Sequence, residues 1–552
     1  MFKRTIATKF MASMLAIVML LSVIPTIPQA KAALGGNQIR KVLVLNFDPV
    51  FPQAGGKKCH DLINWWSNPQ TLSSNFISDM TQISHSYVQY QITDWQELNE
   101  MPRGTNGQSY TIAGYYNDLQ AALQWAQANG KNYWDWTGWQ NFGSGFSFDY
   151  DYYLNRFNVY NRIDSGQIDE VWLFTGPMNG AYAYESRMVG RNAYWCNSPG
   201  LVKSSNPFLV YGFSFERGVG EMLENAGHAA ESILNNVFNC SHNNNGVPYS
   251  IPYNSLNDWQ KFALYDKLMP GTSGVGNIHF APNSLNDYDW GNTRYVMSRC
   301  NDWANYPNLT GQSQNVNTTT WGNGDMRAHH KWWFNLLPHA AGVNAQSGKQ
   351  NNWWFYITLD YIINANQTVK PGIVSGASPK CYQFTPTVSG VYTVTSTNST
   401  GLANLDLMNA NGQGLGFTLN FFGNDFVGVM SLSANTTYLL RCNTRSGSAS
   451  YDLTVNPPIV KNQTINVGTV SGASPKYYSF TPTTSGTYTV TSSGSTGLAN
   501  LDLMTANGQG LGFSLSFTGN NFVGVMSLNA NTTYLLRCNT RSGTASYNIT
   551  VN

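Results

Sequence analysis

The C-terminal third of the chain is written twice. Asn366–Asn456 and Asn462–Asn552 align without a gap, and both carry SGASPK, TGLANLDLM, NGQGLGF, FVGVMSL and NTTYLLRCNTRSG. Within each copy short runs alternate polar and apolar residues, as in Tyr392-Thr393-Val394-Thr395 and Tyr438-Leu439-Leu440-Arg441. Turn-forming clusters punctuate those runs. That pattern predicts an antiparallel β-sandwich in each copy, residues 366–456 and 462–552. Pro457-Pro458 begins the linker between them. Residues 366–552 hold four Asp, eight Lys or Arg, no Glu and no His. This is poor equipment for acid–base or metal chemistry, so the copies read as accessory modules.

Four stretches carry a likeness to a known module: Tyr382-Gln383-Phe384, the SGVYTV run at Ser389–Val394, Leu405-Asp406-Leu407 and the closing Tyr451-Asp452-Leu453. In these the repeats resemble bacterial pre-peptidase C-terminal domains. The resemblance implies the company of a secreted hydrolase, often a metallopeptidase. The turn at Asn435-Thr436-Thr437-Tyr438 departs from that pattern, and acidic residues are sparse, so calcium is not implied. Adhesive spacers without a ligand are the simpler alternative.

The N-terminus predicts export. Lys3, Arg4 and Lys9 precede an apolar run at Phe10–Ile24, and Ala30-Lys31-Ala32 supplies an A-x-A cleavage signal, giving a signal peptide over residues 1–32. No later apolar stretch is long enough to span a bilayer, so a secreted chain with no stable membrane insertion is expected. Net charge is +2, which gives no reason to expect a nucleic-acid partner. Four cysteines, Cys59, Cys196, Cys240 and Cys300, predict one or two disulfides in the first part, and Cys381 and Cys442 offer another in the first repeat.

All eight histidines lie between His60 and His339, so histidine chemistry belongs to residues 33–364. Here Lys41–Phe47, Ser86–Tyr90, Ile168–Phe174 and Phe208–Phe215 read as strands, with helices at Asn117–Ala128 and Tyr150–Ile163. The alternation predicts an α/β domain with a largely parallel sheet. Ligands bind such sheets beyond the carboxyl ends of the strands, where Asp48, Gly176-Pro177 and Glu216 would lie. The domain's end, after the apolar Trp353–Ile363, predicts proteolytic cleavage near residues 363–367.

The segment after the last of these strands carries the chemistry. Arg217, Glu221, Glu224, His228 and Glu231 are spaced 4, 3, 4 and 3, which puts them on one stripe of a helix. Only 11% of the chain is charged, so five ionisable groups on one stripe point to the wall of a polar site rather than to ordinary surface. His228-x-x-Glu231 has the spacing of the zinc-ligand pair of metallocarboxypeptidases. Glu224-x-x-x-His228 has the i, i+4 spacing with which one helix presents two ligands. A third ligand from elsewhere is needed, and His279 and His330 are the candidates. The leading expectation is a secreted zinc-dependent hydrolase of peptidase type. His228, Glu231 and His279 or His330 would be ligands, Glu224 the base, and Arg217 and Glu221 further catalytic groups. The roles of Glu224 and Glu231 are exchangeable at this stage. His60, His85 and His242 have no acidic neighbour at a telling spacing.

Two other readings stand beside it. Asp135, Asp149, Asp151 and Glu185 lie among Trp and Tyr, as the paired carboxylates of a glycoside hydrolase would. A non-enzymatic surface or matrix-binding protein is the other. The substrate is accordingly an extracellular polypeptide or polysaccharide. No GxSxG, GKS/T or strand-linked GxGxxG motif occurs. NFDP at Asn46–Pro49, DEVW at Asp169–Trp172, ERGVGEMLE at Glu216–Glu224 and GHxxES at Gly227–Ser232 resemble a group of exported bacterial proteins. That likeness supports a single domain and assigns no reaction.

Overall fold

The computed structural model describes residues 38–143, 147–164, 167–181, 183–243, 246–344, 346–347, 349–359, 362–376, 379–409 and 413–552. The signal segment at residues 1–32 lies outside the described residues. No helix among the described residues is long and apolar enough to cross a membrane.

The first region is α/β. Its six-stranded sheet uses β1 (Gln38–Phe47), β2 (Val88–Leu98), β3 (Glu170–Thr175), β4 (Ser186–Gly190), β5 (Leu201–Val202) and β6 (Phe208–Ser214), in the order β2-β1-β3-β6-β4-β5. The pairings among β2, β1, β3 and β6 are parallel, whereas β4 runs antiparallel to β6. Alternate residues of β1 reach opposite cores. Val42 and Val44 join Trp172, Phe174 and Phe213 on one face. Leu43, Leu45 and Phe47 join Val171, Leu173 and Val210 on the other. A strand covered on both faces reads as a continuous apolar run, which is why KVLVLNF marked it.

The helices differ in places from the expected ones. The stretch Tyr150–Ile163 is two short helices, Tyr150–Arg156 and Val159–Asp164, because Asn158 takes a left-handed turn at φ 52°. Helices at Pro69–Ile83 and Met326–Asn335 were not foreseen. The cysteines are free thiols. Cys381 sits opposite Arg441 across a strand pair while Cys442 faces Lys380. One residue out of register puts the two sulfurs on opposite faces of that sheet, so they cannot bridge.

The remainder is antiparallel. Thr368–Val369, Asp452–Asn456, Gly390–Thr397, Asp425–Leu432 and Thr418–Phe422 form one five-stranded sheet in that order. Thr464–Ser471, Thr544–Val551, Gly486–Ser493, Asn521–Leu528 and Ser514–Thr518 form another with the same order of equivalent strands. The first set shares a continuous core with the α/β region. Ile363 is buried and its N–H donates to Gln383 O at 3.0 Å. The second set has its own core.

Ala365–Gln367 are exposed at the first boundary, as Val460, Lys461, Asn462 and Gln463 are in the linker, but the core runs continuously across the first boundary, so the linker is the weaker point expected of the two. Trypsin is expected to cut after Lys461 and release a fragment beginning at Asn462. Cleavage after Lys370 with Lys461 intact would contradict this.

Candidate metal centre

The site is built on the helix Val219–Val237, which leaves the end of β6 and runs back over the sheet. Glu224, His228 and Glu231 face inward from it; Glu224 is 2% exposed and Glu231 6%. A helical glycine normally costs about 1 kcal/mol. Here Gly227 has a packing reason: a Cβ on it would lie 2.5 Å from Ile278 Cδ1. Its bareness lets the turn after Val275 press against the helix. Asn277 Oδ1 fixes that turn by accepting the N–H groups of His279 and Phe280 at 3.0 Å each. His279 is thereby delivered to Glu224.

Glu224, His228 and His279 each offer one ligand atom within 4.8 Å of the others. His279 Nε2 lies 2.8 Å from Glu224 Oε1, and His228 Nε2 lies 3.8 Å from the same oxygen. Tetrahedral zinc with ligand bonds near 2.0–2.2 Å needs donor atoms about 3.3 Å apart, so small side-chain movements suffice. The other ring nitrogens face carboxylates. His228 Nδ1 is 3.1 Å from Glu231 Oε2, and His279 Nδ1 is 3.0 Å from Asp287 Oδ1. Carboxylates in that position fix the tautomer that leaves Nε2 free to bind metal. Glu231 is itself held by the Ile278 N–H, which donates to Oε1 at 2.9 Å.

The electrostatics follow from burial against hydrogen bonding. Burial alone would raise both carboxyls. At Glu224 the hydrogen bonds from His228, His279 and Tyr288 outweigh it and hold the group well below the usual carboxylate range. At Glu231 the partner is His228, with His242 adding charge, and the pKa falls to about 2. For His228 burial works downward, but Glu224 and Glu231 prevail and push it up to about 10. These side chains already form a pocket of negative charge that favours a cation.

The expected residues fall out unevenly. His228 and His279 join the triad. The third member of that group is Glu224, whereas Glu231, expected as a ligand, stands behind His228. His330 lies outside the triad: it is fully buried, its Nδ1 is 3.2 Å from His329 Nδ1, and burial brings its pKa down to about 3. Glu221 accepts the Gly218 N–H at 3.0 Å and so caps the helix. Arg217 precedes the helix and is exposed on the cleft wall. Asp48, expected at a strand end, is buried and engaged by His60, whose Nδ1 is 2.7 Å away. Asp149 pairs with Arg103 in a part-buried ion pair and Asp151 pairs with Lys203 at the surface.

Three groups escaped the sequence reading of the centre. The Tyr288 hydroxyl donates to Glu224 Oε1 at 2.9 Å. Its φ of 55° is rare for a bulky side chain, and such strain, about 1–3 kcal/mol, concentrates at functional sites. Glu185 Oε2 lies 3.9 Å from His228 Nε2 and accepts from Asn197 Nδ2 at 2.7 Å. His242 Nε2 lies 3.8 Å from Glu231 Oε1. Of these, Glu185 stood out in the sequence only as a carboxylate among aromatic residues, and its place beside His228 had no local signal.

Two cavities meet at the triad. One, of about 1200 Å³, is lined by His228, His279, Trp195 and Lys267. The other, of about 920 Å³, is lined by Glu224, Arg217, Trp65, Trp134 and Gly176-Pro177. Glu185 and Tyr288 line both. The second opens beyond the carboxyl ends of β3 and β6, as a parallel sheet dictates.

No family model matches the chain, and no curated protein does. Among solved structures, the pilus backbone (RrgB) from Streptococcus pneumoniae is similar at 13% identity and a TM-score of 0.12. The match covers 33% of this chain and 45% of that one, so the chain spans less than half of that protein's length.

Proposed function

We propose that the α/β region is a metal-dependent hydrolase of an amide or ester carbonyl, that the ion is zinc, and that the protein works outside the cell with two β-sandwich modules as accessories. One observation carries the reading. Both histidines of the triad have a carboxylate on the nitrogen that faces away from the ion position, Glu231 behind His228 and Asp287 behind His279. Surface ion pairs have no need of that arrangement, whereas ligating histidines are oriented by it.

A bound zinc ion would lower the pKa of its water and polarise the carbonyl. The chain supplies the rest. Glu185, beside the His228 ligand atom and open to both cavities, takes the water proton; this replaces Glu224, which is committed as a ligand. The Tyr288 hydroxyl, within reach of the triad, donates to the oxygen that becomes negative as water adds. Arg217 on the wall orients an acidic group of the substrate. A peptide bond satisfies this chemistry, and so does any other acyl group.

The test is hydrolysis of a panel of peptide, ester and acylated-sugar substrates before and after chelation. Activity is expected to vanish with chelator, return with one equivalent of zinc, and be absent from His279→Ala. Turnover that survives chelation and persists in His279→Ala would contradict the reading.

A further inference from the structure

We infer that the cleft takes a glycan chain and that the bond cut is an acyl substituent on a sugar, an N-acetyl amide first of all. The inference rests on the metal-dependent reading for its chemistry and on the cleft walls for its substrate.

The walls are unusual in where they put tryptophan. The chain has 17 tryptophans, and those that are strongly exposed are Trp65 (53%), Trp134 (44%) and Trp195 (64%). All three line the two cavities that meet at the triad, Trp65 and Trp134 on one side and Trp195 on the other. Large apolar rings left in water at one place mark a binding surface. The platforms are held in position: Trp65 and Trp134 both pack on the buried Tyr133, at ring separations of 6.2 and 5.3 Å. A pyranose ring presents a flat C–H face that stacks on an indole while its rim of hydroxyls needs hydrogen-bond partners. The cavity on the Trp195 side offers those partners as amides and hydroxyls, Asn197, Asn236, Asn239, Asn286 and Ser232. In the same wall Asn277 Nδ2 is buried with no acceptor among the described residues. It is a donor waiting for a carbonyl or hydroxyl oxygen.

A peptide fits less well. Extended peptides commonly bind by adding a strand to a sheet edge. The edges of the six-stranded sheet are β2 and β5, and no residue of either lines the cavities. The strand residues that do, Thr175 and Gly212–Ser214, belong to the interior strands β3 and β6. Rings on both sides of the triad instead suit a polymer that passes over it with its acyl group down.

The step balances as follows. The water oxygen adds to the acyl carbon and the bond from that carbon to nitrogen breaks. The acyl group leaves as a carboxylate, and both water protons end on the nitrogen, which stays on the sugar as an ammonium. Glu185 carries the proton from the water to that nitrogen.

The experiment uses the full chain, zinc-loaded, with the hexamer of N-acetylglucosamine as probe. Binding is followed by tryptophan fluorescence and acetate is measured in the same samples. The hexamer is expected to quench fluorescence and to release acetate. Trp65→Ala and Trp195→Ala should each weaken binding about tenfold; these side chains are exposed, and an unchanged melt checks that the variants are folded. His279→Ala should bind the hexamer and release nothing. Absence of hexamer binding, with cleavage of peptides instead, overturns the glycan substrate and leaves the metal reading standing. Binding without acetate release by protein shown to carry zinc overturns the deacylation. Failure of the metal reading shows separately, as no zinc taken up at all.

Discussion

Zinc stabilises the α/β region, and His228→Ala, His279→Ala and Glu224→Ala each remove that stabilisation. This is the expected outcome of melting the protein with and without metal. A ligand that binds only the folded state at about 100 times its Kd adds on the order of 2.7 kcal/mol. The gain belongs to the transition of the α/β region and the antiparallel set fused to it, because the triad lies in that region and the two share a continuous core. The supporting carboxylates behave differently from the ligands. Glu231→Gln and Asp287→Asn keep the ligand atoms and lose their orientation, so zinc binding weakens by about 10–100-fold rather than disappearing. Glu221→Gln removes a charged cap from the helix and leaves zinc affinity unchanged. If Glu231→Gln abolishes binding while Glu224→Gln keeps it, the two glutamates have exchanged roles.

The second large effect is on pH. With its pKa pushed up to about 10, His228 holds a proton at neutral pH in the metal-free protein. Zinc needs the lone pair on Nε2, so its binding releases that proton. Apparent affinity therefore rises about tenfold per pH unit from neutrality until pH approaches that of His228. Stability of the metal-free protein moves the other way. His228 has a raised pKa, so its contribution is complete below 6.5 and is lost as pH climbs through about 10. Glu231 has a depressed pKa, so its contribution is complete above 4.5 and is lost as pH falls through about 2. The melting temperature without metal is expected to fall between pH 6.5 and 10, and with zinc to hold. Calorimetry in two buffers of different ionisation heat should count about one proton released. A metal-free melt that stays flat over that range would contradict the placement of His228 between two carboxylates.

Much of this was legible in the residues, for identifiable reasons. A doubly covered strand has to be apolar throughout, so KVLVLNF announced the sheet. The spacing of Glu224, His228 and Glu231 announced one polar face on a helix. Spacing alone could not rank the two glutamates. Each lies one turn from His228, on opposite sides, and long-range contacts separate them: the Ile278 N–H claims Glu231, whereas His279 and Tyr288 meet Glu224. That N–H arrives because Gly227 has no side chain, a contact 51 residues apart in sequence that no local pattern encodes. Glu185 and Tyr288 sit on connections whose course is set by packing. The expected disulfides failed because cysteine counts carry no geometry, and Cys381 and Cys442 fell on opposite faces of their sheet.

The most direct measurement is diffraction from zinc-loaded crystals, recorded on both sides of the zinc absorption edge. The expected result is one strong anomalous peak about 2.0–2.2 Å from Glu224, His228 Nε2 and His279 Nε2, with Glu231 and Asp287 behind the two imidazoles. A peak elsewhere, on the His329-His330 pair or on the surface, or none at this triad, would contradict the metal centre.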